Sequence, residues 1–185
     1  MLKFDDYAPV ALRTPRLTLE PLQSAHAAET FEPLSNRDHY AFIPQDPPAS
    51  LQVLRERYER LETRRSPNGH ELWLNWAARL HSGTVAGVVQ ATCYRDGRVA
   101  IAYELFAPFQ GKGVATEALR AMLLHLRDAA HMTTATALVD TRNAKSIALL
   151  ERLGFARTRF IKEAAFFKGA TSDEYGYELD LARLS

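Results

Sequence analysis

The chain has 185 residues, 46% hydrophobic and 24% charged, as is usual for one soluble domain that can bury a substantial core. Its 23 Lys and Arg residues nearly balance 22 Asp and Glu residues, so the formal net charge of +1 indicates neither nucleic acid nor an anionic membrane as a partner. No apolar run approaches the roughly 20 residues that span a bilayer, and no secretory signal is evident, so we expect a cytoplasmic location.

The cysteine and histidine content argues against a metal site. Cys93 is the single cysteine, which excludes an internal disulfide and a cysteine-based metal cluster. Because it lies in an apolar run, we expect a core side chain rather than a nucleophile. The six histidines lack the spacing of a metal-binding motif. We therefore expect no bound metal.

The first third of the chain predicts one strand followed by two helices. Apolar and polar residues alternate over residues 16–22, as in a half-buried strand. Ser24 is predicted to cap a helix that ends near residue 32. Ser50 is predicted to cap a second helix reaching about residue 65, with apolar residues at helical spacing.

The middle of the chain predicts an antiparallel meander. Three strand-like runs cover residues 72–79, 85–94 and 99–106. Short connections containing Gly83 and Gly97 separate them. Connections of this length join antiparallel neighbours.

The last third alternates helices and strands. Apolar residues fall on one helical stripe over residues 115–129, with charged residues opposite. The remaining elements are a strand over 134–140, a helix over 144–153 and closing strands over 155–165 and 175–181. The resulting order is β-α-α-β-β-β-α-β-α-β-β, in a single domain spanning residues 1–185.

A glycine-bearing turn connects the third meander strand to the longest helix. The turn and first helical residues are Gln110, Gly111, Lys112, Gly113, Val114, Ala115 and Thr116. The first amides of a helix lack intrahelical partners, the helix dipole places about half a positive charge there, and glycine admits close approach. The segment therefore predicts a phosphate cradle, although an ordinary tight turn explains the glycines equally well.

Two other phosphate-binding motifs fit the same turn less well. Phe106 stands where a P-loop has its first glycine, and Gly113 stands where it has Ser or Thr, so that motif fails. The dinucleotide fingerprint matches at Gly111 and Gly113, but Thr116 stands at its third glycine. A dinucleotide-binding domain remains a weaker alternative.

The turn resembles the signature of the Gcn5-related N-acetyltransferase (GNAT) superfamily, in which Gln or Arg precedes a spaced Gly and a Gly or Ala. Gln110, Gly113 and Ala115 match these positions. Residues 101–105 resemble the preceding strand of that family, although Ala102 replaces a glycine frequent among its members. Residues 143–155 resemble its later Asn-x-x-Ser segment, which ends in Gly-Phe.

The opening Thr14-Pro15-Arg16-Leu17 resembles the branch that contains ribosomal-protein N-terminal acetyltransferases. The resemblance implies an α/β (α+β) fold, with a mixed, mostly antiparallel, splayed sheet of about seven strands flanked by four helices. It also implies transfer of an acetyl group from acetyl-CoA to a primary amine by direct attack in a ternary complex. A non-catalytic acyl-CoA-binding module is the alternative from another functional class.

The resemblance also implies the cofactor contacts. The pantetheine arm pairs with the backbone of Leu105, Phe106 and Ala107, and the pyrophosphate sits on the amides from Gly111 to Thr116. Lys112 either adds charge or is solvated, and Thr116 either binds phosphate or is a first-turn residue. Asn143 either caps the following helix or bonds the pantetheine.

The catalytic roles are also implied by resemblance. Ser146 would donate a proton to the leaving thiolate, with local capping or packing as the alternative. Glu104 would act as the base that deprotonates the amine, with a solvated strand carboxylate as the alternative. An amide of Phe106 or Ala107 would stabilise the developing oxyanion.

The acceptor is expected to enter over residues 36–48 and the last strand pair. Its expected lining residues are Asp38, His39, Tyr40 and Phe42. This mixture of polar and aromatic side chains suits a protein N-terminus or a small-molecule amine without choosing between them. Many members of the resembled family dimerise, so a homodimer is a further expectation.

Overall fold

The computed structural model describes residues 7–184, which form one sheet of eight strands in the order β1-β2-β3-β4-β5-β6-β8-β7. The strands are β1 (Leu12–Arg13), β2 (Leu17–Pro21), β3 (Glu71–Leu80), β4 (Val85–Tyr94), β5 (Arg98–Leu105), β6 (Thr134–Asp140), β7 (Ala156–Phe167) and β8 (Ala170–Asp180). The α-helices are α1 (Ala27–Leu34), α2 (Leu51–Glu62), α3 (Val114–Asp128) and α4 (Ala144–Arg152). This mixed, mostly antiparallel sheet with four α-helices confirms the predicted fold class.

The sheet opens between β5 and β6, its one parallel pair. The two strands pair only from Arg98 to Ala100, opposite Thr134 to Thr136. Beyond these residues β5 continues to Leu105 and β6 continues to Asp140 without pairing to each other. The resulting gap, which we call the splay, leaves backbone groups on both strands without a strand partner.

Hydrophobic cores cover both faces of the sheet because side chains alternate along each strand. On β3, Leu74 and Trp76 join the core beneath α3 and α4, together with Leu119 of α3. Ala77, on the opposite face of β3, joins the core beneath α1 and α2, together with Tyr58. The splay is therefore bounded by helices on both faces.

Several element boundaries differ from the predicted ones. The additional strand β1 pairs with β2. Ser24 does not cap α1, because a short 3-10 turn over Ser24–His26 precedes that helix. Helix α2 ends at Glu62 rather than near residue 65, since Arg64 adopts a φ of 60° and Arg65 bridges to Leu72. Strand β8 begins at Ala170 rather than residue 175.

Two other sequence predictions hold. The Val53 amide donates to the Ser50 hydroxyl at 3.2 Å, as predicted for a helix cap. Cys93 is buried in the core, and burial raises its pKa to about 12, which disfavours a thiolate at neutral pH. No helix within residues 7–184 is both long and apolar enough to cross a membrane.

Candidate active site

The glycine turn forms an anion cradle at the start of α3. Gly111 and Gly113 have φ values of 72° and 76°, in the left-handed region that favours glycine. The Glu117 amide donates to the Gly113 carbonyl at 3.1 Å and so begins the hydrogen-bond ladder of the helix. The amides from Val114 to Thr116 precede that ladder and are available to a ligand. The backbone therefore has the geometry that a phosphate requires.

The start of β2 braces this cradle through Arg16 and Glu117. The Arg16 guanidinium donates to the Lys112 carbonyl at 2.9 Å and to the Glu117 carboxylate at 2.6 Å. The Thr14 hydroxyl donates to the same carboxylate at 2.6 Å. A side-chain carbon added at Gly113 would lie 3.4 Å from an Arg16 nitrogen, so the guanidinium lies directly against the turn.

Glu117 remains ionised within this brace. Burial would raise its pKa, but hydrogen bonds from Thr14 and Arg16 outweigh that effect and lower the pKa below its ordinary value. The carboxylate also lies in the first turn of α3, where the helix dipole favours a negative charge. The resemblance at Thr14 and Arg16 did not indicate this contact, because Glu117 lies about a hundred residues away in the sequence.

The Gln110 side chain connects the two sides of the splay, β5 on one side and α4, which follows β6, on the other. Its amide nitrogen donates to the Leu105 carbonyl at 2.9 Å, and its amide oxygen accepts from the Lys145 ammonium at 3.1 Å. Lys145 belongs to the first turn of α4, whereas Leu105 ends β5. Both polar ends of the Gln110 side chain are therefore bonded to the protein.

Backbone alternation identifies the amides that face the splay. The Phe106 amide donates to the Ala86 carbonyl at 2.9 Å, on the β4 side. Backbone groups of successive residues in a strand point to opposite neighbours, so the amides of Tyr103 and Leu105 point towards the splay. The Phe106 amide is occupied, which corrects the prediction of a free oxyanion donor there. Ala107 lies beyond the strand, in an exposed helical turn.

Asn143 and Ser146 begin α4 on the opposite wall. The Asn143 side-chain oxygen accepts the Ser146 amide at 3.1 Å, so Asn143 is the N-cap of the helix. The Tyr103 hydroxyl donates to the Ser146 carbonyl at 3.5 Å, across the splay from β5. The Ser146 side chain is half-buried, and its hydroxyl has no hydrogen-bond partner within residues 7–184.

Asp140 fixes the turn that leads to this helix. The Arg142 guanidinium donates to the buried Asp140 carboxylate at 2.6 Å, and the Ser172 hydroxyl donates at 2.7 Å. The hydrogen bond from Arg142 lowers the pKa of Asp140 to about 2 against the effect of burial, and Ser172 reinforces that shift. The Asn143 amide donates to the Asp140 carbonyl at 2.9 Å, which positions the helix cap.

Glu104 lies on the opposite face of β5 from Tyr103. It pairs in register with Val88, which belongs to the core beneath α1 and α2. Burial raises the pKa of the Glu104 carboxyl, against smaller opposing influences of Arg57 and His39. Glu104 and Ser146 therefore belong to opposite faces of the sheet, on either side of the splay.

Two cavities lie on the Glu104 side. The first, which we call the acidic cleft, has a volume of about 640 Å³ beside the end of β5. Polar and aromatic side chains lining it include Glu29, Glu32, Asn36, His39, Phe106 and Phe109. The second, which we call the sheet cavity, has a volume of about 260 Å³ beneath α2. Arg57 lines the sheet cavity and His39 lines the acidic cleft, so Glu104 has a neighbour in each.

The four residues expected to line the acceptor entrance occupy different environments. His39 lines the acidic cleft and packs edge-on against Phe106 at 6.1 Å between ring centroids. Tyr40 is 1% exposed, and its hydroxyl has no hydrogen-bond partner within residues 7–184. Phe42 is half-buried, whereas Asp38 is exposed.

Lys168 ties this entrance to the β7–β8 turn. Its ammonium donates to the carbonyls of Tyr40, Ile43 and Gln45, the last two at 2.9 and 3.0 Å. The loop after α1 and the last strand pair therefore meet, as expected from the sequence. Lys168 and Arg57 were not identified from the sequence, where each is one cation among many and no motif marks it.

Comparison with known proteins identifies the family. The acetyltransferase (GNAT) domain family matches residues 16–156. No curated protein sequence matches the chain. No group of three His, Cys, Asp or Glu side chains in the described part of the chain could hold a metal ion.

Three solved structures illustrate the shared fold. A ribosomal-protein-S5-alanine acetyltransferase from Vibrio fischeri has a TM-score of 0.81 at 19% identity, covering 96% of this chain and 100% of that one. RimL, a ribosomal L7/L12 alpha-N-protein acetyltransferase in complex with coenzyme A, has a TM-score of 0.83 at 17% identity, covering 92% and 98%. The microcin C7 self-immunity acetyltransferase MccE, in complex with acetyl-CoA and AMP, has a TM-score of 0.79 at 21% identity, covering 90% and 93%. The chain therefore belongs to the GNAT acetyltransferase family, which confirms the predicted N-acetyltransferase with acetyl-CoA as its co-substrate.

Proposed function

We propose that this acetyltransferase holds acetyl-CoA in the splay and acetylates a primary amine that approaches from the Glu104 side. One observation carries the proposal: the free amides that begin α3 lie just beyond the end of β5, where the sheet opens between β5 and β6. A diphosphate bound to those amides directs the attached pantetheine into the splay. The complexes of RimL with coenzyme A and of MccE with acetyl-CoA support this choice of ligand.

The cofactor contacts follow from the free backbone groups. The amides from Gly111 to Thr116 bind the diphosphate, with additional charge from Lys112. The Leu105 amide faces the splay and is free to pair with the pantetheine or with the thioester oxygen. The Asn143 side-chain oxygen is committed to the helix cap, which leaves its amide nitrogen for the pantetheine.

The chemistry is a direct transfer between two substrates. Glu104 accepts a proton from the ammonium form of the acceptor, and a raised carboxyl pKa brings this base closer to neutrality. The amine nitrogen then bonds to the thioester carbon, and an amide facing the splay stabilises the oxyanion. As the C–S bond breaks, the nitrogen loses its second proton to water and Ser146 donates its hydroxyl proton to the leaving thiolate, and the proton received by water then restores the Ser146 hydroxyl.

A protein N-terminus is the acceptor class that the ribosomal-protein acetyltransferases among the structural neighbours support. A small-molecule amine is the second candidate, because the acidic cleft is large enough to admit either and its Glu32 carboxylate, unlike Glu29, which is paired with Arg79, is placed to attract an ammonium ion. The two candidates share the requirement for a primary amine at Glu104.

Calorimetric titration followed by a thiol-release assay tests the proposal. We expect acetyl-CoA to bind, NAD not to bind, and thiol release to require a primary amine from a panel of peptides and small amines. Ser146→Ala should lower kcat more than it weakens acetyl-CoA binding, while Ser35→Ala, an exposed serine beyond α1, should leave both unchanged. Binding of acetyl-CoA without turnover on any acceptor would favour an acyl-CoA-binding module instead.

A further inference from the structure

The sheet cavity is a chamber lined by both polar and apolar residues and floored by three neighbouring strands. Asn75 of β3, Gln90 of β4 and Ala102 of β5 lie side by side in register on its floor. Thr92 stands in the next row, and Arg57 of α2 forms part of the roof. The space between a helix and a sheet is normally filled by apolar side chains, so polar groups placed among Leu61, Trp73 and Ile101 indicate a site for a ligand.

Arg57 supplies a positive charge to this chamber. Its side chain is half-buried, and it forms neither a hydrogen bond nor an ion pair within the part of the chain that the structure describes. The charge of Arg57 lowers the pKa of the Glu104 carboxyl, against the larger effect of burial. A guanidinium presents several fixed donors that match a carboxylate, and desolvating those donors without a partner is costly.

The floor contains further polar groups without partners. Asn75 is 7% exposed, and its amide nitrogen has no hydrogen-bond partner within residues 7–184. The side chains of Gln90 and Thr92 are half-buried, and neither forms a side-chain hydrogen bond with another described residue. Buried polar groups are nearly always bonded, so the unpaired Asn75 amide nitrogen, with Gln90 and Thr92 beside it, indicates a site for a polar ligand.

The distance to Glu104 limits what the cavity can bind. Ala102 and Glu104 lie on the same face of β5, two residues apart, which is about 7 Å along a strand. An acceptor whose amine lies beside Glu104 can therefore place a second group in the cavity only if that group is several bonds from the amine. The α-carboxylate of a free amino acid lies too close to its own amine to do so.

We propose that the sheet cavity binds a carboxylate of the acceptor, held by Arg57 with Asn75 and Gln90, and that the acceptor is an amine bearing that carboxylate several bonds away. This inference rests on the proposed function. Two sources carry this chemistry: an acidic side chain near a peptide N-terminus, and an ω-amino acid. Ala102, whose methyl group lines the floor, limits the depth of the site.

Matched acceptors test the proposal. One pair is a peptide with Glu at its second position and the same peptide with Gln; the other is δ-aminovalerate and its carboxamide. The carboxylate member of at least one pair should have a kcat/KM at least tenfold higher, and the pair that responds identifies the source. Equal rates within both pairs would overturn the proposal.

Substitution of Arg57 separates substrate binding from an effect on Glu104. Arg57→Met should raise KM for the carboxylate acceptor at least tenfold and leave KM for its neutral partner unchanged, while Arg57→Lys retains part of the preference. Arg60→Met, an exposed arginine on the same helix, is the matched control and should change neither KM. Equal losses on both acceptors would show that Arg57 serves Glu104 alone, which contradicts the proposal.

A binding measurement keeps this test independent of turnover. The carboxylate and neutral peptides are titrated into the complex with coenzyme A, using wild type and Arg57→Met. Preferential binding of the carboxylate that Arg57→Met abolishes would support the cavity even if no amine were acetylated. Absence of that preference would overturn the cavity while acetyl transfer to neutral amines left the proposed function intact.

Discussion

The two sides of the splay differ in how their polar groups are satisfied. On the cofactor side, the side chains of Arg16, Glu117 and Gln110 are hydrogen-bonded within the protein and hold the turn whose backbone amides face the ligand. On the acceptor side, the Tyr40 hydroxyl and the Asn75 amide nitrogen are buried without a hydrogen-bond partner among residues 7–184. The difference indicates that the site for acetyl-CoA is complete before binding, whereas the proposed acceptor site gains hydrogen-bond partners from the acceptor. Specificity for the amine should therefore depend on the acceptor side.

The means of support differ in the same way. The cradle is held by hydrogen bonds from Arg16 and, through Glu117, from Thr14. Residues 36–48, which we call the acceptor loop, are held to the β7–β8 turn by hydrogen bonds from Lys168. All three hydrogen bonds to the acceptor loop come from one ammonium group, so a single substitution removes them together, whereas Arg16 and Thr14 share the support of the cradle. The acceptor loop should therefore yield more readily than the phosphate cradle.

The largest effect should follow Glu104→Gln, which removes the proposed base but preserves size. We expect kcat/KM for the amine to fall by about 100-fold or more, with acetyl-CoA affinity unchanged. Glu178→Gln, an exposed carboxylate on β8, is the control and should be silent. Because the Glu104 pKa is raised, wild-type kcat/KM should fall with decreasing pH at a higher pH than an ordinary carboxyl would give. An unchanged acid limb in Glu104→Gln would exclude this base.

The next effect concerns the wall that carries Asn143 and Ser146. Asp140→Asn should lower the free energy of unfolding by about 2 kcal/mol at neutral pH, since one pKa unit corresponds to about 1.4 kcal/mol. The folded-state pKa of about 2 lies below the ordinary value of 3.8, so this stability is present above pH 4 and is lost as pH falls towards 2. Urea unfolding of both proteins across this range measures it. A difference independent of pH would contradict the ionic origin.

A smaller effect should follow Arg16→Met, which removes the brace of the phosphate cradle. We expect KM for acetyl-CoA to rise about tenfold with little change in kcat, because loss of charge-assisted hydrogen bonds costs about 1.5 kcal/mol or more. Arg16→Lys should recover only part of this, since one ammonium cannot reproduce the planar fork. Arg13→Met, an exposed arginine on β1, is the control. A change in KM for the amine, with KM for acetyl-CoA unchanged, would show that Arg16 supports the acceptor site and not the phosphate cradle.

The smallest effect should follow Lys168→Met, which releases the acceptor loop. We expect a severalfold increase in the amine KM, no change in the acetyl-CoA KM, and faster amide hydrogen exchange over residues 40–46. Lys162→Met, exposed on β7, provides the matched control. Equal exchange in the two variants would mean that Lys168 does not hold the loop.

The sequence predicted the elements that carry a long pattern of buried residues, and it missed β1 and the start of β8, which carry no such pattern. The stripe of α3 and the apolar run of β4 are read directly, because α3 buries one face in a single core and β4 is buried between the two cores. Strand β1 has only two residues, and the first five residues of β8 are mostly not buried, so neither extent carries a comparable pattern. Exposed strands are determined by pairing with neighbours, which local periodicity does not record.

In the candidate site, too, local features were predicted from the sequence and contacts between distant residues were not. The cradle depends on local backbone chemistry at Gly111 and Gly113, and the turn was predicted from those residues. The contact between Arg16 and Glu117 joins residues separated by 101 positions and could not be read from spacing. Phe106 was misassigned because the register of β4, which decides where its amide points, emerges only in the folded sheet.

Assigned amide resonances in a titration with coenzyme A test the central assignment most directly, with pantetheine, which lacks the diphosphate, as the comparison. Large shifts from Gly113 to Thr116 with coenzyme A, and small ones with pantetheine, are the expected result. Unperturbed resonances at these residues, with the coenzyme A response confined to the acidic cleft, would contradict the phosphate cradle at the start of α3.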